Sequence, residues 1–75
     1  MKFKIRLENT RDAEEFVYAA SKCGGDVDLH SGVVYIDGKS LLGVIAMGIK
    51  RELNVSVSNP DDTTLKSAVQ KFIVA

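Results

Sequence analysis

Apolar and polar residues alternate in four short stretches and recur at helical spacing in three others. Phe3, Ile5 and Leu7 alternate with Lys2, Lys4 and Arg6, a period of two that predicts a strand with one buried face. Ala13, Phe16, Val17 and Ala20 then recur three and four apart, which predicts a helix. Asn9 and Thr10 stand before it as caps. Asp12, Glu14 and Glu15 load its first turn with the sign its dipole favours, and Gly24-Gly25 closes it. Val27 and Leu29 alternate with Asp26, Asp28 and His30. Ser31-Gly32 reads as the turn of a hairpin, after which Val34 and Ile36 point inward and Val33 and Tyr35 outward.

The second half repeats the pattern. Ser40 occupies a helix N-cap, its hydroxyl placed to accept a hydrogen bond from the amide of Leu42 or Gly43. The short helix Leu41-Leu42-Gly43-Val44-Ile45-Ala46-Met47 stops at Gly48, read as a C′ glycine. Leu53, Val55 and Val57 alternate with Asn54, Ser56 and Ser58 as a fourth strand. Asn59-Pro60-Asp61-Asp62 breaks the chain and caps a last helix with the stripe Leu65, Ala68, Val69, Phe72 and Ile73. The order is βαββαβα. Clean alternation in every strand argues for an α+β fold whose antiparallel sheet has one face under helices and one wet face. That wet face carries a basic first strand and an acidic second strand, expected to pair across it.

Length and composition confine the reading. The chain has 75 residues, enough for one domain spanning 1–75 without linkers or repeats; such a chain buries about 60% of its unfolded surface. Ten basic residues balance ten acidic ones, and no basic stripe is interleaved with aromatics, so no nucleic-acid partner is expected. No apolar run approaches the roughly 18 residues that span a membrane. The alternating start does not read as a signal peptide. Cys23 is the only cysteine, which fits a reducing cytoplasm and excludes an internal disulfide or a Cys/His metal site. Asn54-Val55-Ser56 is a formal glycosylation sequon that a cytoplasmic location leaves idle. No metal and no cofactor is implied.

Gly38-Lys39-Ser40, after a strand and before a helix, invites comparison with a nucleotide-binding P-loop. That pattern needs glycine at position 33, where Val33 stands, and it is excluded. The run Gly38-Lys39-Ser40-Leu41-Leu42-Gly43-Val44-Ile45-Ala46-Met47-Gly48 instead resembles the second-helix segment of the histidine-containing phosphocarrier protein (HPr) family of the bacterial phosphotransferase system. The order of elements agrees as well. The resemblance implies an open-faced β-sandwich with sheet order 1-4-2-3 and three helices on one face.

It also implies two sites. In many Gram-positive family members the serine matching Ser40 is phosphorylated by HPr kinase/phosphorylase. Ser40 is thus the expected regulatory site, with Lys39, Leu41, Leu42 and Ile45 as its partner-binding surround. Family members carry Gly-Leu-His-x-Arg-Pro-Ala at the start of the first helix, where the histidine receives phosphate. Arg11 and Ala13 fall on the family's arginine and alanine. Asn9 falls on the histidine, Thr10 on the variable position and Asp12 on the proline. A carboxamide does not carry phosphate at neutral pH, so Asn9, Thr10 and Arg11 read as degenerate active-site positions. Glu52 stands near a position where members usually have glycine.

The expectation is therefore a regulatory, non-enzymatic member resembling the catabolite-repression paralogue that lacks the histidine. Its expected partners are the kinase and a transcriptional regulator or sugar-transport components. Two alternatives stand beside it: an unmodified protein-binding module, and a phosphocarrier using His30, the sole histidine. His30 lies at a strand end, where a solvated imidazole is the ordinary case. Cys23, near a helix C-terminus, reads as core.

Overall fold

A computed structural model describes residues 2–59 and 63–74. The expected caps Pro60, Asp61 and Asp62 lie outside the described residues. The chain forms β1 (Lys2–Arg6), α1 (Thr10–Ser21), β2 (Val27–Ser31), β3 (Val34–Asp37), α2 (Leu41–Met47), β4 (Glu52–Val57) and α3 (Thr64–Ala68), followed by a 3₁₀ turn, Gln70–Phe72. The four strands make one antiparallel sheet in the order β1-β4-β2-β3. The fold class and strand order are those the sequence pattern and the resemblance imply.

Alternation decides which face of the sheet is dry. Ile5, Val27, Leu29, Ile36, Leu53, Val55 and Val57 are buried and meet Ala13, Phe16, Val17 and Ala20 of α1, Val44 of α2 and Leu65 of α3 in one core. No polar or charged residue is buried among the described residues. The fold is thus held by apolar burial, at about 25 cal/mol per Å² removed from water.

Strand register orders the wet face into transverse rows. Lys2 of β1 lies opposite Ser56 of β4, Ser56 opposite Asp28 of β2, and Asp28 opposite Asp37 of β3. The next row runs Lys4, Asn54, His30, Tyr35. The basic and acidic strands are therefore not neighbours, contrary to the expected pairing: β4 separates them. Lys4 pairs instead with Glu52 at 4.0 Å, and Arg6 with Glu8.

Several element ends differ from the sequence reading. α1 ends at Ser21 with Lys22 as C-cap in right-handed geometry, before Gly24-Gly25. Glu14 and Glu15 fall in its second turn, leaving Asp12 as the acid of the first, and Glu15 pairs with Lys71. Ser31 still pairs with Val34, so the hairpin turn is Gly32-Val33 rather than Ser31-Gly32. Gly32, at φ +59, supplies the positive φ that the first central position of a type II′ turn needs.

Gly48 is not left-handed: it is the C-cap of α2 at φ −105, and the left-handed residue is Lys50 at φ 62. Lys50 donates its N–H to the Leu7 carbonyl at 2.7 Å, and Ile49 bridges to Leu7 in parallel. This tertiary pairing sets the turn after α2, where helix-cap chemistry alone pointed to Gly48.

The last helix stops at Ala68, which is exposed, instead of running through Ile73. Its N-cap Thr63 makes no side-chain capping bond. The 3₁₀ turn aims Phe72 into the core and releases Ile73 and Val74 to β1. Ile73 bridges Ile5, and Val74 donates to the Lys4 carbonyl at 3.0 Å. Continued helix would forfeit those pairings.

Candidate functional site

The β3–α2 connection is built from Asp37. Its carbonyl accepts from Ser40 N–H at 3.0 Å and its carboxylate accepts from Lys39 N–H at 2.9 Å. Gly38 N–H donates to Val27 O at 2.7 Å, and a Cβ on Gly38 would meet Val27 Cγ1 at 2.6 Å. The turn therefore lies flat against β2 and delivers Ser40 to the start of α2. There Ser40 is extended (φ −99, ψ 105) and its hydroxyl accepts from Gly43 N–H at 3.3 Å, as its N-cap position predicts.

Around this hydroxyl the expected partner surface is present in part. Leu42 is 82% exposed and Leu41 37%, whereas Ile45 is half-buried and packs on the core. Lys39 extends away from the hydroxyl's capping bond, its Nζ donating to the Cys23 carbonyl at 2.8 Å and tying the turn to the end of α1. A Cβ on Gly43 would lie 3.3 Å from Ser40 Oγ, so the glycine leaves room around the serine that any side chain would reduce.

Met47, 44% exposed, escaped the sequence reading. It lies five residues beyond Leu42, about 140° around the helix at 3.6 residues per turn, so no single apolar stripe contains both. Tyr18 on α1 also escaped notice: it is 67% exposed and carries Lys22 Nζ 4.3 Å above its ring. A lone aromatic outside the α1 stripe gave no signal.

The start of α1 is a closed hydrogen-bond unit. Asn9 is the extended N-cap, and its Oδ1 accepts from Asp12 N–H at 2.9 Å. Asp12 Oδ2 accepts in return from Glu8 N–H at 3.0 Å, a variant of the capping box. Thr10 and Arg11 are exposed. His30 lies well apart in sequence, on the wet face of the sheet. Its ring stacks on Tyr35 with centroids 5.5 Å apart, and its carbonyl accepts from Asn54 at 3.5 Å. Cys23 is buried in the core.

Two helix starts capped by Asn9 and Ser40 stand on an open four-stranded sheet of order 1-4-2-3 whose helices cover one face. Residues 7–75 match the family described as the PTS HPr component phosphorylation site, and the chain belongs to that family. The fold is similar to that of HPr-C-His from Thermoanaerobacter tengcongensis, with a TM-score of 0.76 at 20% identity over 95% of this chain and 88% of that one. It is equally similar to the histidine-containing phosphocarrier protein of Mycoplasma, with a TM-score of 0.76 at 22% identity over 95% and 89%. No curated protein matches it closely in sequence. Among the described residues no helix is long and apolar enough to cross a membrane.

Proposed function

We propose that this HPr-family protein is a regulatory, non-enzymatic member that does not carry phosphate on histidine. Its Ser40 is the substrate hydroxyl of an HPr kinase/phosphorylase in the cytoplasm. The observation that carries the reading is the commitment of Asn9: its side-chain oxygen caps α1 through Asp12 N–H, and the sole imidazole of the chain is on the sheet. Arg11 keeps a cation at that helix start, with no transferable group beside it.

Ser40 supports the regulatory half of the reading. Its hydroxyl is held by one long hydrogen bond and flanked by Gly43 and exposed Leu42. A phosphate there adds about −1.5 to −2 charges beside an apolar contact surface. Charge next to Leu41 and Leu42 is a combination that a transcriptional regulator or a transport component with a basic, apolar patch recognises. Lys39, held by Cys23, acts in this reading through the turn it braces.

The test is incubation with ATP and an HPr kinase/phosphorylase, followed by intact-mass measurement of the wild type and Ser40→Ala. One phosphate on the wild type and none on the variant is the expected result; an unmodified wild type overturns it. A parallel incubation with phosphoenolpyruvate and enzyme I should leave no acid-labile phosphate. Such a label on His30 replaces this reading with the carrier one.

A further inference from the structure

The wet face of the sheet has a charge gradient that the chain does not neutralise. In one transverse row Lys2 stands at the β1 end and Asp28 and Asp37 stand side by side at the β2–β3 end, with Ser56 between. Like charges directly opposite on paired strands repel. Lys2 and Asp28 have no ionic partner among the described residues. Lys2, Asp28 and Asp37 are all exposed, and Tyr35 in the adjoining row is 74% exposed.

This row is complementary to itself. Two sheets stacked face to face with a two-fold axis parallel to the strands put β1 of one copy over β3 of the other. Lys2 of each copy then lies over the Asp28/Asp37 pair of its partner, and Lys4 over the Tyr35 ring, a cation–π arrangement. A two-fold axis across the strands puts β1 over β1 and sets lysines against lysines. Charge thus selects one orientation of one occupant.

We propose that the open sheet face is a self-association surface, at which a second copy of this chain docks through the Lys2–Asp28/Asp37 row. The association is weak. Four strands about 4.8 Å apart and about five residues long offer roughly 300 Å² of plan area, well below the ~800 Å² per partner of a stable interface. The α2 surface around Ser40 is left free, so this inference stands or falls apart from the phosphorylation reading.

Charge reversal tests it on the full chain by sedimentation equilibrium and amide chemical shifts. Lys2→Glu weakens dimerisation at least tenfold, because it sets a carboxylate over Asp37 and beside Asp28 at both symmetric contacts; Asp28→Lys weakens it less, since Asp37 stays opposite Lys2. Both side chains are exposed and neither is hydrogen-bonded among the described residues, so circular dichroism should show both variants folded. The double variant, Lys2→Glu with Asp28→Lys, sets a cation beside the new carboxylate and recovers part of the loss, while Asp37 still opposes it. Raising salt from about 0.01 M to about 1 M dissociates the wild-type dimer, since the screening length falls from about 30 Å to about 3 Å.

A wild-type protein that stays monomeric at millimolar concentration in low salt overturns the proposal. So does a dimer indifferent to both reversals, or one abolished by Leu42→Lys, which would place the contact on α2.

Discussion

Asn9 and Asp12 hold each other at the start of α1: Asn9 Oδ1 accepts from Asp12 N–H at 2.9 Å, while the Asp12 carboxylate accepts from the amide preceding Asn9. The Asn9 oxygen satisfies one of the donors that a helix start leaves unpaired, and the Asp12 carboxylate satisfies the donor just outside it. Asn9→Ala should lower the unfolding free energy by about 0.5–2 kcal/mol, whereas Asn9→Asp keeps an acceptor and should stay close to the wild type. Urea denaturation of the three proteins, at unchanged slope, measures this.

The Gly38–Val27 contact makes a second expectation. A methyl at 38 would come within 2.8 Å of the Val27 carbonyl oxygen, a backbone atom that moves only with β2. Gly38→Ala should cost about 1–3 kcal/mol, as overpacking does. A methyl on Gly24 would meet nothing within 4 Å, and Gly24→Ala should be neutral or stabilise by up to about 1 kcal/mol through the unfolded chain. Thermal melts of the two variants side by side check the contrast.

Core and surface apolar residues should separate sharply. Phe16 is fully buried and Leu42 is 82% exposed. Phe16→Ala should cost about 3–5 kcal/mol, comparable to the whole stability of a domain this small, and leave the chain largely unfolded at 37 °C. Leu42→Ala should stay within about 0.5 kcal/mol. Denaturation midpoints give both values, and a large loss at Leu42 contradicts its assigned place on the surface.

Ser40→Ala removes a single long capping bond, Gly43 N–H to Oγ at 3.3 Å. Its expected cost is about 0.5–1 kcal/mol, the lower part of the N-cap range. The variant therefore serves in the kinase experiment as a folded protein lacking only the hydroxyl. A melt lower by many degrees would disqualify it for that use.

Much of this architecture was legible because a buried sheet face imposes a period of two. Phe3, Ile5, Leu53, Val55 and Val57 could be placed from alternation alone, since slipping any strand by one residue exposes its whole apolar set. Ser40 was legible because capping is local. What escaped was tertiary. Lys50 takes the left-handed conformation because its amide reaches Leu7, and nothing around Lys50 announces that partner. Ile73 leaves its predicted helix because Ile5 offers a bridge some seventy residues earlier in the chain. The separation of Lys2 from Asp28 depends on β4 inserting between strands that precede it in the chain.

The meeting of Val74 with Lys4 has a consequence for aggregation. That contact occupies part of the outer margin of β1, so the exposed main-chain groups on which a foreign strand grows are concentrated along β3. Two copies that join β3 to β3 use up the receptive margin of each, and growth stops there. Endless fibrous growth needs a second receptive side, and the tail of this chain stands in its way.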